Sequence, residues 1–283
     1  IIPTPWYFNH HMWLQMAGVK SIPLETDANM NPILEKAEAL ITDRTRAIVL
    51  VSPNNPSGAI YSNQLLQKFF DLCKSNQIRL IIDETYKDFH PNASQPHTLL
   101  ENNNWDHVLT ILYSFSKTYR MTGHRIGALL TSKENLTEIE KALDTFTVCP
   151  PQLGQYAANW GLNNLEAWAA ERRTEILQRA KYFAEKFQPL SAAGWSLRGC
   201  GAYFAFVEHP FEEDSNILAP LILRDQGILL MPGTMFYPKH NQLGSRSFRI
   251  AFANIDKNKI STLLERLKDL SYQRLNSKNN MIN

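Results

Sequence analysis

The chain has little of several things that would commit it to a class. Its 283 residues hold three cysteines, Cys73, Cys149 and Cys200. They are too few and too scattered for a disulfide framework or a metal knuckle, so no metal site is expected and a reducing cytoplasm is the natural compartment. Charge of one sign is also missing: 29 Lys and Arg stand against 27 Asp and Glu, a formal net charge of +2. So small a balance favours neither nucleic acid nor an anionic membrane. No apolar stretch approaches the roughly 20 residues of a membrane helix, and no repeat or low-complexity stretch interrupts the pattern. What is there is an apolar fraction of 44%, ordinary for a globular protein, on a length that makes one big domain or two.

From residue 1 to about 165, short apolar runs alternate with amphipathic segments, the pattern of an α/β fold with a mostly parallel sheet flanked by helices. Residues 19–25, 46–51, 78–83, 108–113 and 126–131 read as strands. Residues 63–76 and 134–147 read as intervening helices, the first opened by Ser62 as a cap. A long amphipathic helix over about 165–187 leads away from the sheet. After Pro189 and Gly194 come a strand at 202–207, a helix at 216–226, strands at 228–231 and 248–252, and a helix at 256–271. The polar last dozen residues are expected to fray. The expected division is a large domain over 1–165, a connecting helix over 166–188 and a small C-terminal α+β domain over 189–283.

The chemistry-bearing residues gather at strand ends. Lys117 lies in Ser114-Phe115-Ser116-Lys117-Thr118-Tyr119-Arg120-Met121-Thr122-Gly123-His124-Arg125-Ile126-Gly127, just past the strand at 108–113. A lysine there, flanked by hydroxyls and followed by an arginine, can supply an amine for a Schiff base beside a phosphate-binding cluster. Taken alone, the same residues also read as solvated surface charge. Ser52-Pro53-Asn54-Asn55-Pro56-Ser57-Gly58 forms a polar turn after the strand at 46–51, where open α/β sheets place ligands, or a plain connecting loop. The strand at 78–83 ends in Asp83, with Tyr86 three residues on; an Asp at that point is also an ordinary helix cap.

Together, Asn-Asn-Pro-Ser-Gly, Asp-Glu-x-Tyr, Ser-x-Ser-Lys with Gly-x-Arg-x-Gly, and Phe248-Arg249-Ile250-Ala251-Phe252 resemble the motifs of the class I/II aminotransferases, the fold-type-I pyridoxal-phosphate enzymes. The resemblance covers nearly the whole chain. It implies pyridoxal 5'-phosphate as cofactor and Lys117 as both its Schiff-base tether and the proton shuttle. Asp83 would keep the pyridine nitrogen protonated, while Asn55 and Tyr86 would hydrogen-bond the ring's phenolic oxygen. Ser114, Ser116 and Arg125 would share the phosphate. Tyr7 would stack on the ring, although Pro5-Trp6-Tyr7 offers two adjacent aromatics and a core role fits as well. Arg249, with Asn55, would take the substrate α-carboxylate. Met231-Pro232-Gly233 and Gly201-Ala202-Tyr203 resemble loops that border the substrate, or are plain turns.

The implied reaction moves an amino group from an L-amino acid to a 2-oxo acid. A lyase or synthase on the same scaffold, and a non-catalytic aminotransferase-like regulatory domain, are the alternatives. A cytoplasmic homodimer with sites near its interface is implied, with no nucleic acid or membrane partner. Two proline bonds, Thr4–Pro5 and Asn55–Pro56, are expected to be cis, as the family uses them. The arginine that some aspartate-specific members carry after the lysine has no match in Phe146-Thr147-Val148-Cys149-Pro150-Pro151-Gln152. Because the chain opens at Ile1-Ile2-Pro3-Thr4-Pro5 without an initiator methionine, the family's N-terminal part, with its phosphate-holding turn, is expected to be absent.

Overall fold

A computed structural model describes residues 1–92 and 95–282, with side chains as far as Gln273. Its contacts divide the chain into two units. The first comprises Ile1–Pro3, Pro32–Asn54 and Ile60–Glu175; the second comprises Thr4–Asn31, Asn55–Ala59 and the chain from Ile176 onward.

The first unit is built on a sheet of β1 (Ala47–Val51), β2 (Arg79–Asp83), β3 (Leu109–Ser114) and β4 (Gly127–Leu130), in that order. β1, β2 and β3 run parallel, whereas β4 pairs antiparallel with β3. The sequence of β1, Ala-Ile-Val-Leu-Val, is apolar without alternation and almost wholly buried, as expected of a parallel strand covered on both faces. Helix Asn63–Ser75 buries Leu66, Phe69, Phe70 and Cys73, a spacing of three, four and seven residues that makes one apolar stripe. Each fully buried phenylalanine contributes about 2–3 kcal/mol. Its start is fixed by Ser62, whose Oγ accepts from the Leu65 N–H at 3.1 Å. Ser132 caps helix Lys133–Phe146 in the same way, accepting from the Asn135 N–H at 3.3 Å.

The second unit carries an antiparallel sheet of β5 (Ser196–Gly201), β6 (Phe204–Glu208), β7 (Met231–Pro232) and β8 (Ser247–Ala251), in the order β5-β6-β8-β7. Phe183, Phe187, Trp195, Phe248 and Phe252 form its core with the buried face of helix Lys257–Ile282. The Trp195 indole N–H finds its partner inside that core, the Ser271 hydroxyl at 2.8 Å.

The long helix spans Glu166–Lys186, close to its expected bounds. Three expectations are corrected. Of the strand at 19–25 only Pro23–Leu24 is extended in a sheet: Pro23 has no N–H to donate, and the Leu24 carbonyl accepts instead from Thr4 N–H at 2.8 Å within the second unit. The strand at 228–231 begins only at Met231, because Gly227, left-handed at φ 66°, closes helix Ser215–Gln226 and the chain must first turn. The final helix is assigned to Ile282, past its expected end at residue 271. Helices Phe8–Met16 and Gln152–Asn164 were not anticipated; the first buries no residue, so it leaves no stripe to read.

Candidate active site

In the first unit the expected residues sit on turns that leave the parallel strands. Asp83 ends β2, pairs in register with Val51 and Leu112, and is 7% exposed. One of its oxygens accepts from the Thr85 N–H at 2.9 Å. Glu84 points elsewhere, into a buried contact with the His97 ring, as the alternation of strand side chains requires. Tyr86 is buried and immediately precedes the 3-10 turn Lys87–Phe89. After β3 the chain makes a single helical turn, Phe115–Thr118, whose cap is the Ser114 hydroxyl accepting from the Ser116 N–H at 3.3 Å. Ser114 therefore spends its oxygen locally, and Ser116 is buried beside it. Lys117 leaves this turn with its Nζ 5.9 Å from the centroid of the Tyr86 ring. Those two residues are brought together by neighbouring strand ends, 31 positions apart in the chain (117 minus 86). Arg125 is an exposed residue in the left-handed region at φ 53°, with its guanidinium donating to the Thr122 carbonyl at 2.9 Å. Its neighbour Ile126 accepts from the Phe115 N–H at 3.2 Å, which ties the Arg125 segment to the Lys117 turn through the backbone.

In the second unit Arg249 lies on β8, paired with Phe206 of β6 and Met231 of β7. Its Nη1 donates to the Asn55 Oδ1 at 2.8 Å and its Nη2 to the Met231 sulfur at 2.5 Å. The guanidinium carbon lies 4.6 Å from the Phe204 ring centroid and 5.2 Å from that of Phe236. Aromatic faces at that range favour the cation and fix its plane. Asn55, 5% exposed, belongs to a loop packed backbone to backbone on β5. A Cβ on Gly58, which is left-handed at φ 73°, would lie 2.3 Å from the Gly201 nitrogen, and one on Gly201 would lie 2.3 Å from the Gly58 carbonyl oxygen. No side chain fits at either position, so glycine there is what lets the loop approach. Thr4–Pro5 and Asn55–Pro56 are both cis, and Ser52–Pro53 is cis as well.

The two adjacent aromatics separate by environment. Trp6 is 3% exposed, stacks on His11 at 4.4 Å and donates its backbone N–H to the Phe236 carbonyl at 2.9 Å. Tyr7 is only half-buried at the start of helix Phe8–Met16, its hydroxyl accepting from Asn9 Nδ2 at 2.9 Å. Trp6 is the buried ring, and Tyr7 is the half-buried one, with its ring in contact with Phe8 and His10. Sequence reasoning missed the two phenylalanines under Arg249 and also Asp88, which accepts from the Tyr113 and Thr118 hydroxyls at 2.5 and 2.7 Å. An acid two residues past Tyr86 was the available signal for the second.

Residues 1–267 match the family described as aminotransferase class I and II. The chain is 29% identical over 240 residues to the aromatic aminotransferase ISS1 of Arabidopsis thaliana, covering 81% of this chain and 59% of that protein. It is 26% identical over 275 residues to an aspartate aminotransferase of Thermotoga maritima, covering 95% and 68%. The solved structure of an aromatic aminotransferase from Pyrococcus horikoshii superposes with a TM-score of 0.85 at 25% identity, over 96% of this chain and 73% of that one. The chain thus spans only part of the length of these relatives. It belongs to the class I and II aminotransferases, a pyridoxal 5'-phosphate-dependent family with the fold-type-I architecture. Among the described residues no helix is long and apolar enough to cross a membrane.

Proposed function

We propose that this chain acts in an aminotransferase that moves an amino group from an L-amino acid to a 2-oxo acid, with Lys117 as the catalytic residue. The observation that carries the reading is the first unit's donor set: an amine, a buried carboxylate, a buried phenol and two serines on adjacent strand-end turns, with the amine 5.9 Å from the centroid of the phenol's ring. That set fits pyridoxal 5'-phosphate, which when bound acts as an electron sink for the electrons released by losing the substrate Cα proton.

Lys117 would hold the cofactor through its amine and, once displaced by the substrate amine, carry the proton between Cα and the cofactor carbon as general base and acid. Asp83, buried at the end of β2, would face the cofactor's ring nitrogen and favour its protonated form, because opposite charges at close range favour both charged forms. Tyr86 and Asn55 would donate to the ring oxygen, and Tyr7 would cover a ring face. Ser114, Ser116 and Arg125 would hold the phosphate, the arginine turning its fork from the Thr122 carbonyl to do so. In the second unit, Arg249 would take the α-carboxylate as a bidentate pair with Asn55 beside it, which orients the Cα–H bond. The large domain over 1–165, the connecting helix and the small C-terminal domain are part of this reading.

A homodimer is also proposed. Phe146, Leu153, Tyr156 and Trp160 are 58–82% exposed on the first unit, an apolar surface that self-association would cover. A cytoplasmic location agrees with three free cysteines. Both the reaction and its preferred substrate are tested by mixing the cofactor-loaded full protein with aspartate, glutamate, alanine, aromatic and branched amino acids and following its visible absorbance. Loss of that absorbance with at least one of them, restored by a 2-oxo acid, is expected; none responding would contradict the reading.

A further inference from the structure

Beyond Lys117 itself, the structure shows what holds its turn in place. The Ser114 cap is internal to the turn and does not fix it against Tyr86. A different link does. Tyr113, the last residue but one of β3, donates its hydroxyl to Asp88 Oδ2 at 2.5 Å, and Thr118, directly after Lys117 and 1% exposed, donates to the same oxygen at 2.7 Å. Asp88 sits in the turn Lys87–Phe89 that follows Tyr86. The contacts join residues 25 and 30 positions apart in the chain. Two hydroxyls on one carboxylate oxygen are charge-assisted bonds, shorter and stronger than neutral ones. The Lys87 ammonium, from the same turn, lies 5.2 Å from the Tyr113 ring centroid and reinforces the junction.

We propose that Asp88 is a positioning residue: by taking the Tyr113 and Thr118 hydroxyls together, it locks the turn that carries Lys117 onto the turn that follows Tyr86. Burial first, and then the neighbouring Asp88 charge, hold the Tyr113 phenol well above its ordinary pKa, so it stays a donor at every pH the enzyme meets. The consequence for chemistry rests on the reading of Lys117 given above: an amine whose turn is free to shift loses its fixed distance to Tyr86, and a misplaced reacting group loses rate steeply.

The test uses the full-length protein and the variants Asp88→Ala and Asp88→Asn, the second keeping an acceptor oxygen without the charge. In the cofactor-free protein, amide hydrogen exchange is read at Arg120, whose N–H bonds the Lys117 carbonyl, at Phe89, whose N–H bonds the Tyr86 carbonyl, and in helix Asn63–Ser75 as a distant reporter. For Asp88→Ala, exchange at both turns is expected to rise together by roughly tenfold or more while the helix stays unchanged, with Asp88→Asn in between. With pyridoxal phosphate bound, the pH midpoint of the visible band is expected to move by about half a unit or more in Asp88→Ala and by less in Asp88→Asn.

A rise at only one turn, at neither, or equally throughout the unit would overturn the proposal. So would coupled exchange with an unmoved midpoint, since the link would then be structural only. If the unaltered protein binds no pyridoxal phosphate, the reading of Lys117 fails, and the clamp is judged by the exchange at its two turns.

Discussion

The two units hold their key cations by opposite means. Lys117 stands on a single helical turn past a parallel strand, held by hydroxyl groups: Ser114 within the turn, and Tyr113 and Thr118 meeting at Asp88. Arg249 stands in the middle of an antiparallel strand, held by ring faces, a thioether and one amide oxygen. In the proposed reaction, a lysine that changes partners would be served by a short turn whose fastening lies behind it. An arginine proposed to present an unchanging fork would be served by a stiff strand and aromatic walls. The second arrangement also depends on the absence of atoms, at Gly58 and Gly201, where the first depends on their presence.

The comparison is broken most directly at Lys117. Lys117→Ala removes the only amine given a chemical role, and turnover should fall by at least about 10⁴-fold, the upper range for a positioned acid–base group; steady-state assays check this, and a small loss would mean the lysine is ordinary. Arg249→Lys comes next. It keeps the charge but loses the fork and its fit to Phe204 and Phe236, so amino-acid turnover should drop by about 3 kcal/mol in transition-state terms while the visible spectrum of the loaded protein is unchanged. Near-normal rates with every amino acid would make Arg249 a structural charge only.

A milder break is Gly201→Ala. The new methyl would sit against the Gly58 carbonyl, so the Asn55 loop must shift; a stability loss of about 1–3 kcal/mol in urea unfolding is expected, with weaker amino-acid binding and an unaltered Lys117 unit. The last break is with pH, and it is absent at neutral pH. Burial, above all, lowers the pKa of His209 from 6.5 to about 4, between Trp195, Phe211 and Phe248. The folded state therefore prefers the neutral ring. Its contribution to stability is present above pH 6.5 and is lost as pH falls towards 4, by about 3 kcal/mol. Unfolding midpoints across that window, compared with His209→Phe, should show the slope flatten in the variant.

The same contrast explains what could be read from the sequence. Parallel strands announce themselves by unbroken apolar runs, so β1, β2 and β3 and the polar residues at their ends were legible, Asp83 and Lys117 among them. β4 was legible as a strand but not in its direction, since nothing local distinguishes an antiparallel return. The surroundings of Arg249 were not legible, because Phe204, Met231 and Phe236 reach it only through the pairing of β8 with β6 and β7. Asn55 lies 194 positions from its partner, and no periodicity links them. The strand expected at 19–25 failed on Pro23, an N–H-less residue within an apolar run that should have demoted it. Asp88 was passed over because a clamp is a property of three side chains meeting, not of any one spacing.

The central claim, that Lys117 is the residue on which the chemistry turns, has a direct measurement. The full protein is loaded with pyridoxal 5'-phosphate, reduced with borohydride, digested and mapped by mass spectrometry. The account predicts one pyridoxyl group, on the peptide containing Ser116-Lys117-Thr118, and none in Lys117→Ala. A label on another lysine, or no label on the loaded protein, would contradict it.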